Sequence, residues 1–144
     1  MKTKAVLLLC LFIAIGMTQL SAQGGIMFDT FIVTLRPGVT MDQYLDFLKT
    51  KYVSEYNKNF PGSKLTIGST DSWRKRNQYS FFYTFESDKE YSKYYINDGK
   101  DMSDECKAAW EKMASVKQEV NKYISDSKQV EAEWEKWMDE VIVK

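Results

Sequence analysis

The chain has 144 residues, 44% hydrophobic, 15% aromatic and 28% charged, with 20 basic and 20 acidic side chains and so no net charge. That balance fits a folded globular chain rather than a disordered one, and it offers no excess of positive charge to nucleic acid or an anionic membrane. There is no histidine, which excludes Ser–His and Cys–His catalysis, His-ligated zinc and His-ligated haem.

The first segment reads as an export leader. Lys2 and Lys4 form a positive start, Ala5 to Gly16 is almost unbroken apolar sequence, and Leu20-Ser21-Ala22 offers a small residue at a cleavage position. The run is shorter than the roughly 20 residues a spanning helix needs. Cys10 follows three leucines, whereas a lipidated cysteine favours a small residue just before it. Cleavage after Ala22 leaves residues 23–144 as one domain without a membrane span. It carries 18 basic and 20 acidic groups, a net charge of −2. The expected location is periplasmic or extracellular. Cys106 is then the last cysteine, so no internal disulfide forms despite the oxidising route. Beside Ala108, Ala109 and Trp110 it reads as a small packing residue.

Gln23-Gly24-Gly25 reads as a loose start, and Phe28 to Arg36, rich in Phe, Ile, Val and Thr, as a strand. Pro37-Gly38 ends it. Thr40 with Gln43 forms a capping box for a helix whose apolar face is Met41, Tyr44, Leu45, Leu48, Tyr52 and Tyr56. Phe60-Pro61-Gly62 closes that helix. Lys64 to Gly68 reads as a second strand, either ending there or extending to Trp73 through a bulge at Gly68, with Arg74 to Asn77 as a hairpin turn. Tyr79 to Phe85 is a third strand, dense in aromatics. Ser87 with Glu90 opens a short helix through Tyr95, and Asn97-Asp98-Gly99 breaks it. Ser103 starts a long helix with apolar positions Cys106, Trp110, Met113, Val116 or Val120, Tyr123 and Ile124. Val130, Trp134, Trp137 and Met138 mark a further helical segment after Ser125-Asp126. Val141-Ile142-Val143 is either a closing edge strand or the end of the last helix.

The order β-α-β-β-α, with a possible final β, predicts an α+β fold: a ferredoxin-like antiparallel sheet with helices on one face and an extended C-terminal helical region. Strand one places Phe31, Val33 and Leu35 on one face and Ile32 with Thr34 on the other. Strand three places Tyr79, Phe81, Tyr83 and Phe85 opposite Phe82. Helices on one side leave the second face apolar, where an open antiparallel sheet normally turns polar. Either a second copy of the chain, forming a homodimer, or the Trp134–Trp137 segment covers it.

The strand–Arg36-Pro37-Gly38–helix entry, the Phe60-Pro61-Gly62 exit and the strand running into Phe85-Glu86-Ser87-Asp88-Lys89-Glu90-Tyr91 resemble the dimeric α+β barrel superfamily. The resemblance covers Phe28 to Tyr95 and rests on turns and caps. It implies a paired ferredoxin-like domain. The superfamily includes antibiotic-biosynthesis-type monooxygenases and haem-degrading enzymes. Its haem-binding branches typically rely on a histidine, which this chain lacks, and no catalytic residue carries over.

Candidate ligand-binding residues are Trp73, Tyr79, Phe81 and Tyr83, which could line a pocket for a flat apolar or aromatic molecule, and Arg36, placed to meet a carboxylate. Ordinary core packing is the competing reading of the aromatics, and solvated charge that of Arg36, Arg74 and Arg76. Asp98, Asp101, Asp104 and Glu105 lack the spacing of a calcium loop and read as helix capping. No metal or cofactor is expected. Three functions remain open: a small-ligand-binding or accessory protein of the cell envelope, a structural or protein-interaction domain, and a cofactor-independent monooxygenase or isomerase.

Overall fold

The computed structural model describes residues 26–131. The leader at 1–22, Gln23-Gly24-Gly25, the Trp134–Trp137 segment and Val141-Ile142-Val143 lie outside the described residues. Strand β1 (Ile26–Leu35) leads through Pro37-Gly38 into α1 (Met41–Phe47), a π-helical turn (Leu48–Tyr52) and α2 (Val53–Asn59). Then come β2 (Ser63–Gly68), α3 (Asp71–Lys75), β3 (Gln78–Phe85), α4 (Asp88–Tyr94), the two-residue strands β4 (Tyr95–Ile96) and β5 (Asp101–Met102), α5 (Asp104–Lys112), α6 (Ala114–Val120) and β6 (Ile124–Val130).

The sheet order is β2-β3-β1-β6, every neighbouring pair antiparallel. This is the ferredoxin-like α+β arrangement expected from the order of elements. Thr40 caps α1 with the full box: its hydroxyl accepts from Gln43 N, and the Gln43 side chain accepts from Thr40 N at 2.9 Å. Ser87 and Ser103 cap α4 and α5 through the hydroxyl alone, which accepts from Glu90 N and Cys106 N.

The helix after Thr40 runs on through a π turn, and the sequence explains why. Its sheet-facing positions Tyr44, Leu48, Tyr52 and Tyr56 are all four apart, and in a 3.6-residue helix that row drifts by about 40° per step. A turn with wider hydrogen-bonded rings takes up the surplus and returns Tyr52 and Tyr56 to the sheet. At the exit, Gly62 has φ of +83°, and a Cβ there would lie 2.0 Å from Glu90 Oε2. The positive φ is what calls for glycine, since the end of the flexible Glu90 side chain can move aside.

Two expectations need correction. The second strand stops at Gly68 rather than reaching Trp73. Thr70 accepts from Trp73 N at 3.2 Å and starts α3, so Trp73 lies in a helix, and Arg74-Lys75 ends that helix instead of forming a hairpin tip. The local signal was a second Thr cap followed by Asp71. The long helix from Ser103 is also shorter than read. It is interrupted at Met113 and ends at Val120, and Ile124–Val130 pairs with β1 as the fourth strand. Ser-Asp-Ser-Lys-Gln has weak strand propensity, but the open edge of β1 offers unpaired backbone groups that tertiary pairing satisfies.

The core lies between the sheet and α1–α2 with α5–α6. Leu48, Tyr56, Phe60, Leu65, Cys106 and Met113 are fully buried there. On the other face Thr30 Oγ1 and Ser80 Oγ share a buried 2.6 Å hydrogen bond, while Ile26, Phe28 and Ile32 are 44%, 46% and 38% exposed.

Candidate functional site

One depression combines size with aromatic walls. It is a cleft of about 860 Å³ on the helix-covered side of the sheet, within the range of small-molecule sites. Its floor comes from β1 and β3. Met27, Asp29 and Phe31 alternate inward along β1, and Asp29 and Met27 pair in register with Phe81 and Tyr83. Tyr52, delivered by the π turn, stacks on Phe81 with ring centroids 5.3 Å apart and forms one wall. Trp110, Glu111 and Ala114 form the facing wall, with Lys107 and Lys117 at the rim. Tyr95 and Met102, paired across the β4–β5 hairpin, close one end. A second depression of about 430 Å³, between the π turn with α2 and the α5–α6 side, is lined mainly by Lys, Glu, Ser and Thr, with little apolar surface to grip a ligand.

The cleft's polar groups are few. Asp29 accepts a 2.8 Å hydrogen bond from Gln129 Nε2 of β6 and makes no ion pair with any described residue. Burial holds its carboxyl above the usual carboxylate range, a shift that the Gln129 bond only partly offsets. Burial likewise pushes the Tyr52 phenol up to about 12. It raises Tyr83 and Tyr95 too, with the Asp29 charge adding to both. Neither the Tyr52 nor the Tyr83 hydroxyl has a hydrogen-bond partner among the described residues, and neither is sealed from solvent. Both residues line the cleft. The phenols are therefore neutral donors, and the carboxylate is an under-used acceptor. Lys107 is occupied by Asp104 at 3.2 Å, and Lys117 lies over the Trp110 ring, 5.0 Å from its centroid.

The five sequence candidates divide. Phe81 and Tyr83 line the cleft. Tyr79 lies one step behind, stacked on Phe31 at 5.7 Å, with its hydroxyl 3.1 Å from that of Tyr44. Trp73 is fully buried in α3, outside the helix-side core and away from the cleft lining. Arg36 is exposed. Its Nε donates to Asn121 O at 2.5 Å and its backbone N to Tyr123 O at 2.8 Å, tying the end of β1 to the α6–β6 connection. Arg74 pairs with Asp71 and Asp42 at the surface. The Cys106 thiol is fully buried, and burial raises its pKa, as suits a packing residue.

Sequence reading missed Asp29, Tyr52, Tyr95 and Trp110 as neighbours of the third strand. One signal was available: Asp29 is a carboxylate on the inward, otherwise apolar face of β1. Among the described residues no group of three His, Cys, Asp or Glu side chains could hold a metal ion, and no helix is long and apolar enough to cross a membrane.

No family profile and no curated protein matches this sequence. Among solved structures, a NIPSNAP family protein from Agrobacterium tumefaciens aligns with a TM-score of 0.44 and 11% identity, covering 74% of this chain and 90% of that one. A likeness this distant carries no inference about this chain.

The raised Asp29 carboxyl has a consequence for stability. Its folded pKa lies above the model-peptide value of 3.8, so the fold disfavours the ionised form, and this group costs stability as pH rises through that interval. Asp29→Asn keeps an acceptor for Gln129 and removes the charge. It should raise the melting temperature at pH 7 by about 2 °C, and the gain should shrink as the pH falls toward 3.8. A lower melting temperature for the variant at pH 7 would contradict the reading.

Proposed function

We propose that this protein binds a small molecule with a flat apolar or aromatic body in the cleft between sheet and helices. The observation that carries this is an open cleft of about 860 Å³, walled by Phe31, Tyr52, Phe81, Tyr83, Tyr95 and Trp110. An ordinary core would fill such a volume with its own side chains. The neutral phenols suit hydrogen bonding rather than phenolate chemistry, which favours binding over the oxygenase reading.

Ala114 stands at the cleft wall on the exposed start of α6, so Ala114→Trp should fill the mouth without disturbing the core. Titration with 2-naphthol, followed by NMR of the Trp110 indole, should show saturable shifts. In the variant the affinity should fall by about tenfold or more. Equal affinity in both proteins would place the probe elsewhere and remove this reading.

The same reading includes a homodimer paired through the other face of the sheet. Ile26 and Ile32 support it, being large apolar side chains exposed on the sheet face opposite α1, α2, α5 and α6. Light scattering at micromolar concentration should give twice the chain mass, and Ile32→Lys should give one chain mass. A monomeric parent protein would end the idea.

Export to the cell envelope completes the proposal, on the strength of the Lys2–Ala22 leader pattern. Intact-mass analysis of the exported fraction should find a chain beginning at Gln23. A full-length, unprocessed chain retained in the cytoplasm would contradict it.

A further inference from the structure

The cleft carries a more specific message than its aromatic walls. A ligand with no charge would need no ionisable group at the floor, yet Asp29 is placed there, on the same face as Met27 and Phe31. Among the described residues its one hydrogen-bond partner is the Gln129 amide, which leaves most of its acceptor capacity unused there. No lysine or arginine among the described residues neutralises it. Lys107 is engaged by Asp104 and is 59% exposed, and Lys117 is turned onto Trp110. A half-buried carboxylate without a counter-charge costs stability, and proteins retain such costs where they serve function.

The groups around Asp29 complete the pattern. Phe81, opposite it on β3, Tyr83 and Tyr95, whose phenols feel its charge, and Trp110 line the same cleft. Ring faces carry negative electrostatic potential and attract cations, most strongly when water is excluded. A carboxylate among aromatic faces is complementary to an ammonium group and repels a carboxylate or phosphate.

We propose that the cleft takes an organic cation, a primary or methylated amine carried on an apolar or aromatic body, with its ammonium against Asp29 and its body between Tyr52 and Trp110. The inference rests on the small-molecule reading of the cleft and narrows it to a charge class. Lys107 and Lys117 stay at the rim, where solvent screens them.

Three probes of similar size separate the possibilities: benzyltrimethylammonium, benzyl alcohol and phenylacetate, each titrated at pH 7.5 into the parent protein and Asp29→Asn and followed by NMR of cleft residues. The parent should bind the cation about tenfold more tightly than the alcohol, and the anion more weakly than either. In Asp29→Asn, shown folded by its melting curve, the preference for the cation should shrink to within about twofold while the alcohol binds as before. Lowering the pH toward 3.8 should weaken the cation and leave the alcohol unchanged, because protonation discharges Asp29. Preference for the alcohol or the anion in the parent protein, or an undiminished cation preference in the variant, overturns the charge assignment and leaves the aromatic cleft standing. Failure of all three probes to shift cleft residues overturns the cleft reading itself.

Discussion

The structure depends on one packing match: a row of tyrosines on a helix laid along a row of aromatics on a strand. Tyr44 packs on Tyr79, Tyr52 on Phe81 and Tyr56 on Tyr83, with ring centroids 5.6, 5.3 and 5.4 Å apart. Four positions spaced by four along a helix span about 18 Å. Four alternate positions along a strand span about 20 Å. The two rows nearly agree in length, so rings can meet rings from end to end. The π turn corrects the rotation that would otherwise carry Tyr52 and Tyr56 off the sheet.

That match also explains why a cleft exists. β1 lies beside β3, and its inward residues Met27, Asp29 and Phe31 continue the same surface. The tyrosine row covers β3. The second helical layer leans elsewhere: α5 packs against α4 and α2, with Trp110 against Tyr56 and Phe60 at 5.7 and 4.9 Å. The first half of β1 is left at the bottom of a gap between the helical layers. Tyr52 and Tyr83 line that gap, and its floor holds a carboxylate whose ionisation the fold disfavours. Packing and binding surface thus share residues, because Phe81 and Tyr83 serve both.

Much of this fold was legible in the sequence, for identifiable reasons. The Thr40–Gln43 box, the Pro37-Gly38 corner and the alternation from Tyr79 to Phe85 are local signals, and each sits where its chemistry places it. The elements that escaped depend on partners distant in the chain. Ile124–Val130 becomes a strand because β1 has a free edge, 91 residues away in sequence at the Thr34–Ser125 contact. Trp73 looked like a pocket residue because it precedes the aromatic strand, but the Thr70 cap turns it into a separate short helix. The site was half legible. Phe81 and Tyr83 could be named from alternation alone, whereas the facing wall, Trp110 and Tyr95, is set by how α4 and α5 fold back. Arg36 was chosen for its charge, and the backbone of Asn121 takes up its guanidinium.

A crystal structure of the protein with benzyltrimethylammonium tests the central claim most directly. The ring should lie between Tyr52 and Trp110, with the ammonium on the Asp29 carboxylate. A molecule seated on the opposite sheet face near Ile32, or a cleft closed by collapse of Trp110 onto Phe31, would contradict it.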